Sequence, residues 1–168
     1  MVLILCGCTA TIRSFHDEAT KASIVRLSGN RLAGSIWRLE LDTQRHEKAG
    51  RISYSLFVVY SAPLLVTIEP GKTLALTIDG RRTEFEGSGS TRHRVLVSPG
   101  LVEETAFYHD IDRERIREIA YAHQIIVEVR GSNSVIQRHF TERNFNSFKM
   151  FYEDIVSRDV ATEEQPCD

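Results

Sequence analysis

The 168-residue sequence has few cysteines, no long apolar run and no charge excess of either sign. Three cysteines are too few for a disulfide-built scaffold. The longest apolar runs, such as residues 56–60, fall far short of the roughly 20 residues that a membrane-spanning helix needs. The formal net charge is −2, so the positive excess typical of a nucleic-acid-binding protein is missing and no nucleic-acid partner is expected.

Motifs for catalysis or metal binding are also missing. None of the six histidines has the i, i+4 partner of a zinc protease, and there is no Cys-x-x-Cys or Gly-x-Ser-x-Gly. His109 and Asp110 follow Glu103 and Glu104, but neighbouring residues of a strand point to opposite faces, which argues against a carboxylate pair. The sequence therefore predicts no catalytic residue, no metal site and no cofactor, and it favours a protein that is not an enzyme.

The composition that is present is that of one folded domain. Hydrophobic residues make up 42% of the chain and charged residues 26%, which excludes disorder of the whole chain and a collagen-like fibre. A chain of this length has little room for a second domain.

The N-terminus carries the most specific motif, Leu5-Cys6-Gly7-Cys8. It resembles the lipobox of bacterial lipoproteins, in which an aliphatic residue lies three positions before the modified cysteine and a small residue lies directly before it. The resemblance implies cleavage before Cys8, diacylglycerol on the Cys8 thiol and a fatty acyl chain on the new amine. Two or three acyl chains would anchor the body durably to a bilayer.

The residues around this motif give the expected domain boundaries. The apolar run covers only residues 2–5 and no basic residue precedes Arg13, so residues 1–7 are predicted to be a truncated signal remnant. Residues 8–30 are predicted to be a lipid-anchored tether, with a short helix through Ile12 and Phe15 as the competing interpretation.

The resemblance also gives an expected location. It implies the cell envelope, and Thr9 in place of aspartate after the cysteine implies the outer membrane if the organism is Gram-negative. The alternative is a cytoplasmic protein whose N-terminus is an ordinary strand, with Cys6, Cys8 and Cys167 as free thiols.

Alternating apolar residues predict β-structure from about residue 35 to residue 109. Strands are expected over 37–41 and 52–60, with residues 44–50 as the turn between them, and over 64–68, 74–78, 81–86, 94–98 and 102–109. The strand at 52–60 becomes apolar on both faces near its end, which indicates a central position. Asp79-Gly80 is the strongest hairpin signal.

The last part of the chain changes to helical patterns. A helix is predicted over 113–122 behind an Asp112 cap, then strands over 125–130 and 135–140, then a second helix capped by Thr141 with a Phe140–Phe145 staple. The fold class is therefore α+β: an antiparallel sheet or sandwich-like β region followed by helix, β-hairpin and helix. This domain is expected over 31–158, with a polar tail over 159–168.

One surface cluster is a candidate binding site. Arg81, Arg82, Arg92 and Arg94 flank the loop 87–90, and they would form a basic patch for an anion or a protein partner if their strands were adjacent. The alternative interpretation is an ordinary solvent-exposed face on which Glu84 and Glu86 balance the charge of the arginines.

Three functions remain open at this level. The favoured one is a membrane-anchored envelope lipoprotein acting as a non-enzymatic interaction or structural module, with an envelope protein as partner. The alternatives are a small-molecule or metal-binding periplasmic domain and a cytosolic protein or enzyme of unknown reaction.

Overall fold

The computed structural model describes residues 10–34, 37–63, 66–95 and 100–159, with the backbone alone over 91–95. Its strands are β1 (Thr11–Asp17), β2 (Ala22–Ser28), β3 (Arg38–Lys48), β4 (Arg51–Ala62), β5 (Gly71–Ile78), β6 (Arg81–Gly87), β7 (Ser90–Val95), β8 (Val102–Tyr108), β9 (Ile125–Arg130) and β10 (Val135–His139). Its helices are α1 (Arg113–Tyr121) and α2 (Glu142–Phe151), and α2 continues into a π-helical segment, Tyr152–Val156.

The strands form two antiparallel sheets. The six-stranded sheet has the order β1-β2-β3-β4-β8-β7, and the four-stranded sheet has the order β10-β9-β5-β6. With the two helices late in the chain, this is the predicted α+β fold, and the central position of β4 is confirmed.

One hydrophobic core joins the two sheets and the helices. Each strand places alternate residues on one face, and the core takes the inward set, such as Leu39 and Leu41 of β3 and Leu74 and Leu76 of β5. The helices add Ile116, Ile119, Phe148 and Phe151, all fully buried.

The sheets approach each other closely where β6 leads into β7. A Cβ atom on Gly87 would lie 2.8 Å from the carbonyl oxygen of Phe107, so only glycine fits there. Beyond it, the Ser90 backbone N–H donates to the Ile68 carbonyl oxygen at 2.8 Å. The loop 87–90 is thus the crossing from the four-stranded sheet to the six-stranded sheet.

The start of α2 is capped as predicted, whereas the start of α1 lacks the expected side-chain cap. The Thr141 side chain and the Asn144 side chain form a reciprocal capping box at the start of α2, and the rings of Phe140 and Phe145 lie 5.2 Å apart. Asp112 is the N-cap residue of α1, but its side chain makes no capping hydrogen bond.

The N-terminal prediction is corrected. Residues assigned to a tether, or to a short helix, form strands β1 and β2, which pair with each other, and β2 also pairs with β3. Ala22 and Leu27 are fully buried, so this hairpin belongs to the folded body. The alternation was hard to recognise because β1 is an edge strand whose residues are mostly exposed.

Three further boundaries differ from expectation. Residues 44–48 continue β3, and the turn to β4 is only Ala49-Gly50, where both φ angles are positive. No strand covers the described residues 66–69, although Val66 and Ile68 are buried. Strand β7 begins at Ser90 rather than Arg94.

The predicted tail begins with a residue that is held in place. Asp159 accepts hydrogen bonds from Arg45 at 2.8 Å and from the Tyr54 hydroxyl. Among the described residues, no helix has the length and apolar character needed to cross a membrane.

Candidate functional site: the cleft on the six-stranded sheet

The outer faces of the two sheets differ in character. The four-stranded sheet presents a balanced charge ladder in which Arg82 and Arg130 pair with Glu84 and Glu128. The shortest of these ion pairs, Arg82 to Glu128, measures 2.7 Å. Such exposed pairs keep a sheet face solvated and contribute little stability.

The four arginines of the predicted patch divide between the two sheets. Arg81 and Arg82 begin β6 in the four-stranded sheet, where Arg81 lies 3.7 Å from Glu118. Arg92 and Arg94 lie on β7 in the six-stranded sheet, at the register positions of Thr105 and Glu103. Since β6 and β7 are not paired strands, the adjacency on which the patch depended is not formed.

The outer face of the six-stranded sheet holds a cleft of about 450 Å³. This volume lies within the range of small-molecule sites in proteins. Strands β2, β3, β4 and β8 contribute its lining, which we call the sheet cleft: Arg26, Ser28, Arg38, Glu40, Asp42, Phe57, Val59, Glu103, Thr105 and Phe107.

The floor of the sheet cleft is aromatic. The rings of Phe57 and Phe107, opposite each other on β4 and β8, stack with centroids 5.3 Å apart. The Arg26 guanidinium lies 4.9 Å from the Phe57 ring centroid and donates to the Gln44 side-chain oxygen at 2.7 Å. The cation–π contact and the hydrogen bond fix this arginine along one wall.

The second wall is an ion cluster around Arg38. Its guanidinium pairs with Glu103, donates to the Ser61 hydroxyl at 3.1 Å, and lies 3.5 Å from the Glu40 carboxylate. Burial raises the pKa of Glu40 despite the Arg38 charge, and the Glu103 charge adds to the rise. Desolvation therefore outweighs the attraction of one guanidinium.

Asp42 forms the deepest polar part of the lining, with only 1% of its surface exposed. Its carboxylate accepts the backbone N–H groups of Asn30 at 2.8 Å and Gly29 at 3.2 Å. Burial raises the pKa of Asp42 to about 7, although both backbone hydrogen bonds oppose the rise. This carboxyl therefore changes charge near neutral pH.

A buried chain of amides runs from Asp42 to helix α2. The Asn30 side-chain oxygen accepts from the Asn144 amide at 2.9 Å. The Asn144 amide also donates to the Arg31 carbonyl oxygen, and its oxygen accepts the Thr141 backbone N–H at 2.8 Å. Asn30 and Asn144 are both buried, so the two side chains fix the β2–β3 connection against the start of α2.

A serine–histidine contact lies farther along the same face. The Ser55 Oγ and His109 Nδ1 atoms are 3.1 Å apart, the separation expected of a nucleophile and its base. Ser55 lies inside β4, however, and the next residue, Leu56, is paired on both sides with β3 and β8. Backbone N–H groups used in these ladders are not free to form an oxyanion hole, so the Leu56 N–H does not supply one beside Ser55.

Sequence reasoning did not find the sheet cleft. Arg38, Glu40 and Asp42 alternate with buried leucines along β3 and look like an ordinary solvated face. The usable signal was on the neighbouring strand, since β4 is apolar on both faces near Phe57 and Val59. Phe57 points away from the core, yet only 4% of its surface is exposed. Other side chains must therefore bury its ring, and the charged side chains of the cleft do so.

The residues of the lipobox-like motif, Cys6 and Cys8, lie outside the described residues, as does Cys167. Within residues 10–34, 37–63, 66–95 and 100–159, no three His, Cys, Asp or Glu side chains are grouped to hold a metal ion. No protein-family model matches this sequence, and no curated protein and no solved structure matches it either.

Proposed function

We propose that this protein is a lipid-anchored envelope lipoprotein whose body is a non-enzymatic binding module, with the sheet cleft as its contact surface. The observation that carries the binding role is the cleft itself: a depression of about 450 Å³ with an aromatic floor and fixed charges on its walls. Clefts of this kind, with few and precisely held polar groups, are the usual form of binding sites.

The proposed anchor would hold the body close to the membrane. Cys8 precedes Thr11, the first residue of β1, by three residues, which span at most about 10 Å of extended chain. Thr11 pairs with Ser28, and Ser28 lines the sheet cleft. A lipid on Cys8 would therefore bring this end of the cleft near the bilayer surface, where an envelope protein partner could reach it.

A small polar molecule is the second candidate occupant. The cleft volume and the mixture of carboxylates and guanidinium groups favour a ligand that has both charged and apolar parts. Binding of either occupant would use the same walls, so the occupant's mass distinguishes them.

The anchor is tested by metabolic labelling with a palmitate analogue in bacterial cells. We expect the label on the full-length protein to disappear in Cys8→Ser and to remain in the matched Cys167→Ser variant. Label that survives Cys8→Ser, or a full-length protein that is never labelled, would reject the anchor and favour the cytoplasmic alternative.

The binding surface is tested by photo-crosslinking in cells. A photoreactive residue at Val59, on the cleft floor, should capture one discrete protein or one small-molecule adduct, identified by mass. The matched control carries the same residue at Thr77, on the outer face of the four-stranded sheet. Equal capture from both positions, or none from Val59, would contradict the proposal.

A further inference from the structure

We propose that Asp42 is a proton-operated link between the sheet cleft and the start of helix α2. The proton response goes beyond the proposed function and needs no ligand. The consequence for binding, that cleft occupancy and α2 influence each other, rests on the proposed function.

The first half of the link is the bend that follows β2. The two Asp42 carboxylate oxygens accept one backbone N–H each, Oδ1 from Asn30 at 2.8 Å and Oδ2 from Gly29 at 3.2 Å. Gly29 has a φ of +81°, a conformation that side chains other than glycine rarely adopt. The carboxylate and the glycine together set the path of the chain as it leaves β2.

The second half runs from that bend to α2. Asn30 donates its side-chain amide to the Leu41 carbonyl oxygen at 3.1 Å and receives the Asn144 amide on its oxygen. Asn144 in turn completes the capping box with Thr141. Each contact uses a buried group whose loss would leave a neighbour unsatisfied, so a change at Asp42 is passed on to the capping box.

Protonation changes the donor and acceptor balance at Asp42. A proton from water adds to one carboxylate oxygen and turns it into a hydroxyl, which is a weaker acceptor. The longer bond, from the Gly29 N–H to Oδ2, is the one expected to weaken. The cleft lining loses one negative charge in the same step.

Charged groups from three strands share the cleft lining with Asp42. Arg26 lies on β2, Arg38 and Glu40 lie on β3, and Glu103 lies on β8, while β4 contributes the uncharged Phe57 and Val59. Glu40 favours the protonated form of Asp42 and Arg26 favours the ionised form. By linkage, an occupant with a positive group should release a proton from this site, and one with a negative group should take a proton up.

The test is an NMR titration of the full-length protein from pH 5 to 9 without ligand. We expect the backbone amides of Gly29 and Asn30, the side-chain amide of Asn144 and the backbone amide of Thr141 to shift with one common midpoint near pH 7. The shifts should vanish in Asp42→Asn and persist in the matched cleft variant Glu103→Gln.

Two results would overturn the proposal. If the signals of Gly29 and Asn30 stay constant over this range, Asp42 has no proton response. If the signals of Asn144 and Thr141 do not follow that of Gly29, there is no link from Asp42 to α2. The Asp42 carboxyl carbon is also followed directly in the wild-type protein, which decides the matter even if Asp42→Asn does not fold. A positive titration without any cleft occupant in the cell would leave the proton link standing and reject only the binding role.

Discussion

At the residue scale, three buried polar side chains connect segments of the chain that are distant in sequence. Asp42, Asn30 and Asn144 are each at most 1% exposed, and each satisfies several hydrogen-bonding groups of chain segments distant in sequence. Burying such groups costs free energy unless every partner is in place. They therefore favour one arrangement of the β2–β3 connection and α2 over its alternatives.

Asp42 predicts an unusual pH dependence of stability. Its pKa is about 7 in the folded protein against an ordinary 3.8, so the folded state binds the extra proton between these values. The free energy of unfolding should therefore fall as the pH rises from about 4 to about 7, by at most about 1.4 kcal/mol per pH unit from this group. Urea denaturation at several pH values checks this.

The variant Asp42→Asn isolates that contribution. The slope between pH 5 and 7 should be flatter in Asp42→Asn than in the wild type, whereas Glu103→Gln should keep it. A wild-type protein whose stability rises steadily over this interval, with the same slope in Asp42→Asn, would show that Asp42 is ionised throughout.

Asp159 provides a second prediction at this scale. It accepts hydrogen bonds from both Arg45 and Tyr54, and both members of the Arg45–Asp159 pair are largely buried. Asp159→Ala should lower the free energy of unfolding by about 2 kcal/mol, since charge-assisted bonds of buried groups contribute about 1.5–3 kcal/mol. The exposed Asp154→Ala serves as control in thermal denaturation, and equal losses in the two variants would contradict the account.

At the element scale, the sequence predicted those turns and helix starts that depend on residues close together in the chain. Asp79-Gly80 forms the predicted hairpin because both residues take positive φ angles, 46° and 84°, as a two-residue turn of this kind requires. The start of α2 could also be predicted from the sequence, because its cap and its hydrophobic staple involve residues close together in the chain. The boundaries of β9 agree with the prediction at both ends.

Elements whose structure depends on residues distant in sequence were harder to predict from the sequence. The strand β1 is an edge strand with little buried surface, and only its pairing with β2 makes it a strand. The buried residues Val66 and Ile68 look like strand residues, but their segment crosses between sheets and bonds to Ser90 instead. The partners of Asp42 could not be predicted, because Gly29 and Asn30 lie in a different segment of the chain from β3 and a single sequence does not show which segments meet.

Helix α2 carries the prediction at this scale. Asn144→Ala should destabilise the protein by about 2–3 kcal/mol, because it removes a helix cap and leaves the buried Asn30 oxygen without its donor. The exposed Asn146→Ala on the same helix should change stability by less than about 0.5 kcal/mol. If both variants have similar midpoints in urea denaturation, the buried amides contribute nothing to the stability of the protein.

At the scale of the whole molecule, the two outer sheet faces differ in character. The four-stranded sheet presents a self-balanced ladder of exposed ion pairs, while the six-stranded sheet carries a cleft whose charges are partly desolvated. A near-neutral composition conceals this asymmetry, since Arg26 and Arg38 are offset within the same cleft by Glu40 and Glu103. The cleft, rather than the arginine pairs at 81–82 and 92–94, is the surface to which we assign binding.

The most direct test of that assignment fills the cleft and leaves the rest of the fold alone. Thr105 lies opposite Val59 across β8 and β4, so Thr105→Trp places a bulky side chain over the photoreactive position at Val59. We predict at least a tenfold loss of the Val59 crosslink in Thr105→Trp and no change in Thr77→Trp, with both variants folded by circular dichroism. A crosslink that survives Thr105→Trp, or that is lost equally in both variants, would contradict the sheet cleft as the binding surface.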